Sequence, residues 1–70
     1  MTAEEYEAAF HGIDLPTSLQ LDSGVFVPDV PDFIAKSIGI LKGKPGARVE
    51  DAVRARLDKA LQLITNHNAQ

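Results

Sequence analysis

The chain contains no cysteine, which excludes a disulfide framework and a thiolate metal site. Its only histidines, His11 and His67, lie far apart in sequence, so a metal staple is not expected and no cofactor is implied. It lacks the run of about 18 apolar residues that a membrane span requires. It opens with the acidic stretch MTAEEYEAAF, where a secretory leader needs a positive start and then an apolar run. The expectation is a soluble cytoplasmic protein without a membrane partner. Residues 1–35 also lack any Lys or Arg. They hold Glu4, Glu5, Glu7, Asp14, Asp22, Asp29 and Asp32, a formal charge of -7. Residues 36–70 hold seven bases against three acids, a charge of +4, so the total is -3. Such asymmetry points to charged partners, or to pairing of the two halves within one molecule or between two copies.

Seventy residues are enough for a single domain, 1–70, and a chain of this size buries only about 60% of its unfolded surface. With neither disulfide nor metal, the support open to it is an apolar core, with self-association into a homodimer as the remaining addition.

The stretch that organises the rest is Asp29 to Lys44, DVPDFIAKSIGILKGK. Val30, Phe33, Ile34, Ser37, Ile38 and Leu41 fall on one face at helical spacing, and Ile40 widens that face. Asp29 caps the start, and Pro31 sits in the first turn, where a missing amide costs nothing. A helix over about 30–42 is predicted, with Ala35, Lys36, Gly39 and Lys42 facing away. Gly39 inside it costs about 1 kcal/mol relative to alanine, which points to a close neighbour or a kink, a simple tolerated defect being the more common explanation.

Before that helix, Thr2 and Glu5 form a capping box for a helix over about 3–11. Ala3, Tyr6 and Phe10 share its inner face, and Gly12 is placed to end it in a left-handed conformation. Residues 13–28 form an arm. Leu15 precedes Pro16 and is therefore extended. Asp22-Ser23-Gly24, between Leu19-Gln20-Leu21 and Val25-Phe26-Val27, has the composition of a hairpin turn; an irregular loop is the other reading. After the organising helix, two glycines and a proline in Lys42–Ala47 end it. A last helix, about 48–65, returns antiparallel with Val49, Val53, Leu57, Ala60, Leu61 and Ile64 inward. Asp51, Arg54, Asp58 and Gln62 lie opposite, and a polar tail, 66–70, is expected to fray. The fold class is thus mainly all-α: three helices with an extended or β-hairpin-like arm between the first two. Phe33 and Ile38 are expected at the core, with Leu57 and Leu61 facing them.

This order resembles a family of small bacterial helical domains of unknown function, about this length. The resemblance rests on Tyr6, Phe10 and a Gly-Ile-x-Leu-Pro motif at Gly12, Ile13, Leu15 and Pro16. It continues through Leu21, Asp29, Phe33, Leu41, Pro45 and Gly46 to Leu57, Leu61 and Ile64. It departs at Val49-Glu50-Asp51-Ala52, where that family often carries aromatic and further basic residues. It implies a shared fold and transfers no activity or site residue.

No catalytic constellation is legible. His11 has no recognisable nucleophile or orienting acid around it, and Glu4, Glu5 and Glu7 do not converge on one helix face. Lys42-Gly43-Lys44-Pro45-Gly46 lacks the phosphate-loop pattern and a preceding strand. The expectation is therefore a non-enzymatic interaction or structural module with an unidentified protein partner. Its candidate surface residues are Ile40, Leu63 and Phe26. The alternative is a weak nucleic-acid binder using Lys42, Lys44, Arg48 and Arg54. Against that alternative stand the acidic total charge and the absence of aromatics interleaved with these bases.

Overall fold

The computed structural model describes residues 1–69. Three helices and a hairpin follow in the order α1 (Ala3–His11), β1 (Leu19–Asp22), β2 (Val25–Val27), α2 (Val30–Lys42) and α3 (Ala47–Asn68). The fold is mainly α, and the arm forms the hairpin.

The helix starts follow from their caps. Thr2 Oγ1 accepts from the Glu5 amide at 3.1 Å, and Glu5 Oε1 accepts from the Thr2 amide at 2.8 Å. Both satisfy donors that a helix start leaves unpaired. Asp29 Oδ1 accepts from the Asp32 amide at 3.2 Å, and Pro31 lies in the first turn of α2. By contrast, α3 starts at Gly46 with no side-chain cap.

Left-handed backbone falls differently from expectation. Gly12 has φ -88°, so it is not the left-handed terminator predicted; the chain leaves α1 by a turn closed from the Ile13 amide to the Phe10 carbonyl. Gly24 has φ 77°, as the hairpin turn requires. At the end of α2 the left-handed position belongs to Lys44, with φ 54°, whose amide donates to the Leu41 carbonyl at 3.1 Å.

The hairpin pairs Leu19 with Val27, Gln20 with Phe26 and Asp22 with Val25, with an irregularity between Gln20 and Asp22. Leu21 and Val27 reach the core, and Val25 and Phe26 do not. β1 packs on α3, and the Val30 amide donates to the Thr17 carbonyl at 2.9 Å, which ties the root of the arm to the start of α2.

The core is one cluster drawn from every element. Its most enclosed members are Val30, Leu57, Ala60, Ile64, Tyr6 and Phe10. Ile38 and Leu57 are buried as expected, but Phe33 and Leu61 are only partly buried and pack on the edge of the cluster. Val49, expected inward, is 49% exposed: it lies in the first turn of α3, before that helix reaches the core at Val53. The expected frayed tail is helical through Asn68, whose side-chain amide donates to the Asp14 carbonyl at 3.1 Å. That tertiary bond offsets the polar tail's lack of apolar burial. Gln70 lies outside the described residues.

Candidate functional site

Two seams join the outer elements to the helices, and they differ in what they leave open. The first joins α1 to α3. Tyr6 is 2% exposed, and its hydroxyl donates to Asp58 Oδ1 at 2.6 Å. The Arg54 guanidinium lies 5.9 Å from the centre of the Tyr6 ring. Arg54 also donates to Glu50 Oε1 through Nε and Nη2, at 3.1 and 2.9 Å, and to the Met1 carbonyl. Burial, followed by the Asp58 carboxylate, raises the Tyr6 pKa. The hydrogen bond to Glu50 raises that of Arg54. Arg54 and Asp58 are expected opposite the apolar stripe; Asp58 is indeed exposed and Arg54 half-buried, and both also reach Tyr6 at the edge of α1. The sequence signal was their spacing of four on α3, which puts both beside one aromatic of a neighbouring helix. The Tyr6 hydroxyl and the Arg54 guanidinium both find partners within the chain, so the cluster serves as a clamp.

The second seam lies between the hairpin and α2. It holds a groove of about 370 Å³ lined by Phe26, Phe33, Ile40 and Lys36, with Asp32 and Arg56 at its margins. Phe26 is 58% exposed and Ile40 45%. Two of the three surface residues expected from the sequence thus come together, and half-buried Phe33 joins them. The third, Leu63, does not. It packs partly buried against the core on α3, beside Pro16, Leu19 and His67.

A further cleft of about 310 Å³ separates α1 from α2, floored by Phe10, Ile34 and Ile38. Gly39 opens onto it, and a Cβ built there would meet nothing within 4 Å. Of the explanations for Gly39, a close neighbour within the chain is thus excluded among the described residues. Lys42 Nζ pairs with Glu7 Oε2 at 3.0 Å at the rim, which raises the Lys42 pKa. Lys42 is exposed, as its outward position predicts, and this surface contact adds a partner from α1. His11 borders the same cleft.

The four bases of the nucleic-acid alternative do not act together. Lys42 is paired with Glu7 and Arg54 with Glu50. Lys44 and Arg48 are exposed and have no ion pair among the described residues. Also among those residues, no three His, Asp or Glu side chains gather to hold a metal ion. Among the described residues, no buried side-chain polar atom lacks a partner, and no helix is long and apolar enough to cross a membrane.

A family model described as "Domain of unknown function (DUF6965)" matches residues 1–66. Comparison with curated proteins and with solved structures gives no match.

Proposed function

We propose that this chain, which belongs to the family described as Domain of unknown function (DUF6965), is a non-enzymatic protein-interaction module acting through the groove between the hairpin and α2. The reading takes it as a bacterial cytoplasmic protein, as its sequence leads one to expect. The observation that carries it is the placing of exposed Phe26 and Ile40 in one groove with half-buried Phe33. Single exposed apolar side chains are ordinary on a protein surface. An apolar cluster with two aromatics and a charged rim is the composition of an interface centre. The nucleic-acid reading is the weaker one, because half of its bases are held in ion pairs.

The test uses the wild-type chain and a Phe26→Ser, Ile40→Ser double variant as paired baits in extracts of the source organism. Their far-ultraviolet circular dichroism and melting curves should agree, since both side chains are exposed. A protein held by the wild type and lost by the double variant is the expected result. Identical recoveries from both baits overturn the groove as the contact surface. Steeply salt-dependent binding to DNA or RNA would overturn the interaction reading in favour of a nucleic-acid one.

A further inference from the structure

We infer that the occupant of this surface is a second copy of the chain, docked with α2 antiparallel to α2 about a two-fold axis. The inference rests on the interaction reading above and names its partner.

Three features of α2 lead there. The first is its shape. Ile40 stands on the exposed ridge, with the hairpin groove on one side. On the other side, beside Gly39, lies the cleft against α1. Knob and hollow are thus neighbours on a single helix. A two-fold interface uses one patch twice, each copy giving to the other what it receives. Ile40 of each copy then sits over the Ala35–Gly39 segment of the other, where a Cβ at Gly39 would meet nothing in the chain's own fold.

The second feature is charge. The start of α2 carries Asp29 and Asp32, and its end carries Lys42 followed by Lys44. A parallel copy would set like charges side by side. An antiparallel copy sets the acidic start of each helix against the basic end of the other. The register that brings Asp32 opposite the second copy's Lys44 seats Ile40 over that copy's Lys36, within the same segment. Lys44 has no ion pair among the described residues. Asp32 is paired only with Lys36, in an exposed contact at 3.0 Å, so it remains open to a second cation.

The third is area. A stable interface takes about 800 Å² from each partner, a sizeable share of the 4681 Å² that the chain exposes. The ridge must therefore be joined by the hairpin, which places Phe26 inside the contact and accounts for an aromatic left 58% exposed.

The experiment is sedimentation equilibrium of the full chain across concentration, at about 50 and about 500 mM salt. The wild type should rise from the 7.6 kDa monomer mass towards twice that value, with weaker association at high salt. Ile40→Glu should stay monomeric with its helical signal intact. Gly39→Leu should do the same by filling the hollow, and it guards against a folding defect in the first variant. Asp32→Lys and Lys44→Glu should each weaken the dimer several-fold, and the two together should restore it, because opposite charges then face each other again. A wild-type mass that stays at 7.6 kDa into the high micromolar range overturns the inference. So does a dimer indifferent to Ile40→Glu, or one in which the charge pair shows no rescue. A monomer that still binds a different protein in a Phe26- and Ile40-dependent way defeats the dimer alone. A monomer with no such partner defeats the interaction reading as well.

Discussion

Phe10 and Phe26 make the same side chain answer to two different seams. Phe10, on α1, is 2% exposed and lies over the core with Tyr6 beside it. Phe26, on β2, is 58% exposed beside a groove. The α1 seam is closed twice, by apolar packing and by the Tyr6–Asp58–Arg54 cluster. The hairpin seam is closed by apolar packing, with Leu21 and Val27 buried and Leu19 partly so. A nine-residue helix is too short to be stable by itself, so α1 requires its seam to be complete. The hairpin is held by its turn and by β1 on α3, which leaves the outward residues of β2 free for another role.

The largest expected difference between the seams is in stability. Phe10→Ala should cost about 3–5 kcal/mol, comparable to the whole stability of a domain this small, and abolish a cooperative urea transition. Phe26→Ala should shift the transition by no more than about 0.5 kcal/mol. Phe33→Ala, at a half-buried position, should fall between the two. Equal losses at Phe10 and Phe26 would break the comparison.

Tyr6→Phe tests the polar half of the closed seam. Loss of the hydroxyl bond to Asp58 should cost about 1 kcal/mol, read from the midpoint of the melt. The same bond makes stability depend on alkaline pH. The Tyr6 pKa is raised in the folded state, against about 10 when unfolded. The folded chain therefore holds this proton more tightly. Its contribution is complete below the unfolded value and is lost as pH rises through the folded one. The wild type should lose stability across that window, and Tyr6→Phe should flatten this part of the profile. An unchanged alkaline profile would show that Asp58 does not close the seam.

Two smaller effects belong to the turn between α2 and α3, away from both seams. Lys44 occupies left-handed backbone at φ 54°, a conformation that costs a non-glycine residue about 1 kcal/mol, so Lys44→Gly should raise the urea midpoint. Gly46→Ser should add a few tenths of a kcal/mol by supplying the cap that α3 lacks. Together they make a background in which damage at Phe10 is measurable as a transition. If either substitution changed the relative cost of Phe10→Ala and Phe26→Ala, the two seams would not be independent of the turn.

The sequence by itself determined what depends on neighbours a few residues away. The capping box at Thr2 and Glu5, the Asp29 cap with Pro31, the left-handed Gly24 and the inward positions Tyr6, Phe10, Ile38 and Leu57 were all legible. Each rests on a local hydrogen bond or on helical periodicity. Only the tertiary structure decided what depends on where one element ends against another. Helical spacing gives Phe33 and Ile38 the same inward face, but the core ends before Phe33 is covered and the hairpin leaves its edge open. Val49 follows the stripe of α3 yet overhangs the core. Periodicity places Arg54 and Asp58 towards solvent, and the arrival of Tyr6 from α1 gives them a partner. Phe26 and Ile40 are 14 residues apart, and a groove lined by both β2 and α2 makes them one surface while Leu63 packs at the edge of the core. A helical wheel fixes the direction of a side chain about its own axis. Whether that direction meets protein or water is set by the length and docking of the elements around it, and no local pattern carries that information.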